Sequence, residues 1–176
     1  MTGKRIAGVA VALILPLIAA AETLPRIEGE NLNGKTVALP DAAASRIAIL
    51  VAGFTHASQK QTKPWDDKLE SEFKDPAKIV VYPIADLESA PRFVRGMAVH
   101  GIKSGTPKSE YDRFLILTHH SEDLKRAAGF AAPDDAYIVL LDAAGGIRWR
   151  FHGPVTDAAV QELKTQAGAL ERPAAK

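Results

Sequence analysis

The sequence predicts an α/β domain: a mixed β-sheet flanked by helices, with an N-terminal β-hairpin and an insertion at about 87–112. Three observations carry this reading. Short, nearly continuous apolar runs at 47–54 and 79–84 have the composition of strands buried on both faces. Helical segments alternate with them, as a sheet covered on both sides requires. Late in the chain, strands at 136–142 and 147–152 are joined by Ala143-Ala144-Gly145-Gly146, a hairpin connection that makes the sheet mixed.

The elements follow in order. Within 32–39, Asn33-Gly34 is a turn pair between short extended pieces and marks the first hairpin. After the strand at 47–54, residues 66–73 form an amphipathic helix with Trp65, Leu69 and Phe73 spaced by four on one face. In the strand at 79–84, Pro83 places the strand end near the rim of the sheet. Ser89 reads as an N-cap, with Pro91 in the first turn of a helix reaching about Val99. Gly101, Gly105 and Pro107 then break that helix into a loop. A strand at 113–118 precedes a short helix at 121–128, capped by Ser121 and closed by Gly129. Thr156 caps a final helix at 157–170, with Val160, Leu163, Ala167 and Leu170 facing inward.

The first residues read as an address. Lys4 and Arg5 precede an apolar run at 6–20, and Ala19-Ala20-Ala21 offers small residues at a signal-peptidase site, with Glu22 as the first mature residue. The run is about 15 residues, against roughly 20 for a bilayer span. A cleaved signal peptide at 1–21 and a retained anchor are the two readings, and both export the rest to the periplasm or the exterior. Cleavage takes the formal net charge from +1 to −1, which gives no global attraction to nucleic acid. The mature length suits one domain at 22–170, followed by a disordered tail at 171–176. The chain contains no cysteine, so its stability rests on packing and hydrogen bonds alone.

The segment ILVAGFTHASQKQTKPW (49–65) resembles the first core strand and active-site helix of the thioredoxin-like superfamily. YIVLLDAAGGIRWRFHGP (137–154) is similar to the C-terminal half of its exported members. Within that superfamily the cysteine-free pattern and the IRW element look most like the ATP10 family, thioredoxin-like factors assisting assembly of the ATP synthase membrane sector. The resemblance implies that Ser58 and Gln61 stand where a redox dithiol would be, and that Ala136 stands where a cis-proline would be. A non-proline cis bond costs several kcal/mol, so Ala136 is expected to be trans. Thiol–disulfide and peroxidase chemistry are excluded by the absence of cysteine.

His56 with Ser58 suggests a base and a nucleophile, but no Gly-x-Ser-x-Gly elbow surrounds them, and a serine entering a helix is ordinarily an N-cap. His56, His119 and His120 all follow strands, which raises a metal site against the reading of surface or capping histidines. In the insertion, Phe93, Val94, Met97 and Ala98 form one helix face, and Arg92, Arg95, His100 and Lys103 emphasise another. That pattern fits a core-packing helix with a solvated basic face, or a basic platform, extended by Lys108, for an acidic peptide or membrane-protein loop. Alternation in 147–152 puts Ile147, Trp149 and Phe151 on one face and Arg148, Arg150 and His152 on the other. Asp134-Asp135 reads as a turn near the same rim.

The sequence therefore points to an exported, non-redox, protein- or peptide-binding or chaperone factor that needs no cofactor. Its expected contacts are the rim Thr55, His56, Ser58, Gln61 and Ala136, and the basic insertion Arg92, Arg95 and Lys103. A non-thiol enzyme or a metal-binding protein built around His56 is the alternative.

Overall fold

The structure is a computed structural model and describes residues 22–171. The expected signal segment at 1–21 and the tail from 172 lie outside the described residues; Glu171 closes the last helix. The elements run β1 (Ile27–Asn31), β2 (Thr36–Leu39), β3 (Ile47–Gly53), α1 (Gln59–Glu72), β4 (Ile79–Asp86), α2 (Arg92–Gly105), β5 (Leu115–Leu117), α3 (Ser121–Ala128), β6 (Ala136–Leu141), β7 (Ile147–His152) and α4 (Asp157–Glu171). The strands form one seven-stranded sheet in the order β2-β1-β5-β4-β3-β6-β7. The centre, β3, β4 and β5, is parallel, while β6, β7 and the β1–β2 hairpin pair antiparallel.

The unbroken apolar run of β3 follows from its place between two cores. Ala48, Leu50 and Ala52 pack on one face with Leu124 and Ala127 of α3. Ile49 and Val51 pack on the other with Trp65 and Leu69 of α1 and Val160 and Leu163 of α4. Both sides of the strand are thus removed from water, at about 1.5–3 kcal/mol for each large side chain. Trp65 is fully buried, and its indole N–H donates to the Gly153 carbonyl at 3.0 Å, tying α1 to the chain that leaves β7. Phe73 packs beside it, completing the expected face. At the start of α4, the Ala159 N–H donates to Thr156 Oγ1 at 3.2 Å, the cap that the sequence implies.

Several local expectations are corrected. α1 begins at Gln59 rather than 66, because its polar first turn and Pro64 hide the helical period. Pro64 lies inside the helix and withholds the donor that would reach the Lys60 carbonyl. Pro83 is interior to β4, opposite Val51 of β3; the ladder with β5 starts only at Ile84, just past the residue without an N–H. The N-cap of α2 is Pro91, not Ser89, and the helix runs through Gly101 to Gly105 before Thr106-Pro107 ends it. Ser121 does not cap α3: His120 holds that position with φ 66°, and the Ser121 hydroxyl donates to Asp86. A register shift at Leu140/Leu141 puts Ile147 in the α3-side core, while Trp149 and Phe151 pack on the opposite side.

Candidate functional site

β3 delivers the chain to a turn, Phe54 to Ser58, at the N-terminus of α1. Ser58 occupies the N-cap position, but its hydroxyl makes no capping bond. It turns back instead, donating to the Thr55 carbonyl at 2.7 Å and accepting the Thr55 N–H at 3.4 Å. Thr55 Oγ1 accepts the Ser58 N–H at 3.1 Å and donates to Asp134 Oδ1 at 2.7 Å. Ser58 is 1 % exposed and lies against Gly53, where a Cβ would stand 2.5 Å from its Oγ. A hydroxyl so enclosed, with its proton donated to a carbonyl, is a brace rather than a nucleophile.

One helical turn on, Gln61 bridges α1 to the loop that leads into β6. Its Nε2 donates to Asp135 Oδ1 at 3.2 Å, and its Oε1 accepts the Ala136 N–H at 3.3 Å. Proline has no such N–H, so this bond exists only because Ala136 stands at the position. The Asp135–Ala136 peptide is trans; among the described residues the cis bond is Leu39–Pro40. Asp135 Oδ2 meets His152 Nδ1 at 2.8 Å. That hydrogen bond first, with a further one from Gln61 and against desolvation, holds the Asp135 carboxyl below the usual carboxylate range.

The loop is braced from its other side by Tyr137. Its hydroxyl accepts the N–H groups of Ala131 and Ala132 at 2.9 and 2.7 Å and donates to the Ala132 carbonyl at 2.7 Å. The structure thus gathers Thr55, Ser58, Gln61 and Ala136 into one network, with Ser58 and Ala136 buried and His56 exposed on the turn. Sequence reasoning missed Asp134, Asp135 and His152 as members. The signals were the paired carboxylates just before a strand and the outward period that carries His152.

Among the described residues, no three histidine or carboxylate side chains converge as a metal site. His120 Nδ1 lies 3.5 Å from Asp123 Oδ2, within its own helix turn, so the His56/His119/His120 cluster does not form. A concavity of about 580 Å³ lies elsewhere, between α1 and the start of α4, lined by Pro64, Asp67, Lys68, Val155 and Thr156.

A second polar cluster joins α1 to the segment before β5. Arg113 pairs with Glu70 at 2.6 Å. Part of the Asp66 side chain reaches solvent, but its Oδ1 is shielded and has no partner. Burial pushes the Asp66 carboxyl well up, with Lys63 opposing and Glu110 adding to the rise. Glu110 is raised too, by desolvation first and then by Glu70.

The insertion departs from the core-packing expectation. No residue of α2 is fully buried, and Phe93 and Met97 are 76 % and 74 % exposed. Arg95 is half-buried and committed to the backbone, donating to the carbonyls of Ala90 at 2.8 Å and Glu88 at 2.6 Å. Lys103 is half-buried, and Arg92 is exposed.

A strand–helix–strand unit followed by a hairpin and a helix, in a chain without cysteine, defines a cysteine-free protein of the thioredoxin-like fold. Solved structures agree on that fold. An uncharacterised conserved protein from Geobacillus kaustophilus matches with a TM-score of 0.62 at 14 % identity, over 92 % of this chain and 88 % of that one. The thioredoxin domain of a thiol-disulfide oxidoreductase from Bacteroides vulgatus matches with a TM-score of 0.59 at 18 % identity, over 84 % and 97 %. The exposed lipoprotein thioredoxin of Streptococcus pneumoniae matches with a TM-score of 0.56 at 20 % identity, over 80 % and 99 %. The family is narrower: the model of the ATP10 protein family matches residues 18–170, and the chain belongs to it. No curated protein matches the chain.

Proposed function

We propose that this chain is an exported, non-redox assembly factor that holds a protein partner during construction of the ATP synthase membrane sector. The observation that carries the reading is the fate of the two thiol positions. Ser58 braces the turn through Thr55, and Gln61 fastens α1 to the loop before β6, so the old redox site has become a fixed surface. Thr55, His56 and Gln61 present that surface, with Ser58 and Ala136 supporting it from within. The basic insertion with Arg92, Arg95 and Lys103 supplies a second binding surface. Membership of the ATP10 family supports protein partners of this kind. An enzyme built on His56 is less favoured, because the rim's carboxylates already bond Thr55, Gln61 and His152.

The natural absence of cysteine makes the test direct. A His56→Cys chain carrying a thiol-linked photo-cross-linker is expressed in its own cell envelope, and captured proteins are identified by mass spectrometry. A membrane-sector subunit of the ATP synthase is the expected adduct. Labelling that yields no such subunit overturns the proposal.

A further inference from the structure

α2 combines two features found together nowhere else among the described residues. Its outer side carries the large apolar side chains most open to solvent, Phe93 and Met97, with Val94 beside them at 37 % exposure. At 3.6 residues per turn, Phe93, Met97, His100 and Ser104 share that side, and Arg92 and Lys103 share one flank of it. The half-buried positions Ala98, Val99 and Ile102 face the opposite way, towards the protein.

The second feature is charge. Residues 89–109 contain Arg92, Arg95, Lys103 and Lys108 and no acidic residue. Elsewhere, Arg26, Lys63, Lys68, Arg113, Lys125, Arg126, Arg148, Arg150 and Lys164 all sit against carboxylates. Arg92, Lys103 and Lys108 form no ion pair among the described residues. Nine of the 18 lysines and arginines among the described residues pair with carboxylates; of the nine that do not, these three stand together on one helix and the turn behind it, in a stretch without a carboxylate.

We infer that α2 is an interfacial helix that docks on an anionic lipid bilayer, with Phe93 and Met97 entering the acyl boundary and Arg92, Lys103 and Lys108 at headgroup level. The shape favours lipid over an acidic protein. The apolar side chains protrude from a convex helix side, with cations at both ends of the patch. Gly96 and Gly101 add no bulk, and a Cβ at either would meet nothing within 4 Å. That profile allows the helix to settle into a fluid, negatively charged surface, and its attachment combines apolar burial with electrostatic attraction. The inference rests on the proposed second binding surface and names its occupant; the rim around His56 is independent of it.

The test uses the full chain with Ser104→Cys, the sole cysteine, carrying an environment-sensitive fluorophore on the outer side of α2. Because the probe reports only its own surroundings, attachment through the N-terminal apolar run leaves it unchanged. Vesicles of phosphatidylcholine with half phosphatidylglycerol are expected to shift the emission to the blue, and pure phosphatidylcholine vesicles are not. Arg92→Glu with Lys103→Glu should weaken the lipid response by roughly tenfold or more, as two charges near an anionic surface imply. Phe93→Ser with Met97→Ser should abolish the shift; all four positions reach solvent, and circular dichroism checks that the variants fold. A probe that stays in water at saturating anionic vesicles overturns the inference. So does an equal response to neutral vesicles, or shielding only by delipidated envelope proteins. Failure here with capture from position 56 intact refutes the lipid surface alone, whereas the reverse result refutes the rim.

Discussion

Replacing Gln61 with alanine removes both bonds that join α1 to the loop before β6. The larger consequence falls on Ala136, whose residue is fully buried and whose N–H loses its acceptor. A buried donor left unpaired costs about 1–3 kcal/mol. Asp135 retains His152, so the bond from Gln61 Nε2 adds only a few tenths of a kcal/mol to that loss. The expected destabilisation is therefore about 1–3 kcal/mol, with Gln61→Glu falling between wild type and alanine. Its carboxylate still accepts from Ala136 but opposes Asp135. Urea unfolding followed by Trp65 and Trp149 fluorescence measures the effect, with an unchanged m-value showing that the unfolded state is comparable. A loss below about 0.5 kcal/mol for Gln61→Ala would refute the claim that this side chain fastens α1 to the loop before β6, since ordinary surface substitutions fall in that range.

Gly53→Ala should destabilise by about 1–3 kcal/mol, because its Cβ would sit 2.5 Å from Ser58 Oγ and 3.1 Å from Thr62 Cγ2. Ser58→Ala in the same chain should recover part of that loss, a coupling read from thermal melts of the four chains. Trp65→Phe keeps the ring near Phe151 but leaves the Gly153 carbonyl unpaired, for about 1–2 kcal/mol, whereas Trp65→Ala should cost about 3–5 kcal/mol by chemical denaturation. Asp66 binds its proton more tightly folded than unfolded, so its contribution is fully present below the ordinary value of 3.8 and is lost as pH rises through the folded value. Asp66→Asn should flatten the fall in stability above pH 4 and raise stability at pH 7 by about 1 kcal/mol, checked by denaturation across pH.

The sheet was legible because β3, β4 and β6 announce themselves through short, nearly continuous apolar runs, and β7 through its alternation after a glycine turn. The face made by Trp65, Leu69 and Phe73 followed directly from helical spacing. Less visible was whatever tertiary contacts decide. The first turn of α1 is polar and is held by the rim network, so periodicity found only its second half. Gly101 did not break α2, because its cost of about 1 kcal/mol in a helix is tolerable where the termination signal lies further on at Thr106-Pro107. The apolar spacing of Phe93 and Met97 was clear, but spacing cannot show whether a face meets the core or water. The rim depended on pairs 74 to 79 residues apart, Gln61 with Asp135 and Thr55 with Asp134, which a single sequence does not bring together.

The central claim, assembly without redox chemistry, is tested most directly by native-gel quantification of intact ATP synthase in cells lacking this chain. The account predicts reduced assembly of the membrane sector, restored by the wild-type chain without any thiol and poorly restored by a rim carrying Thr55→Arg and His56→Glu. Normal assembly in the absence of the chain, with the enzyme present at wild-type amount, would contradict it.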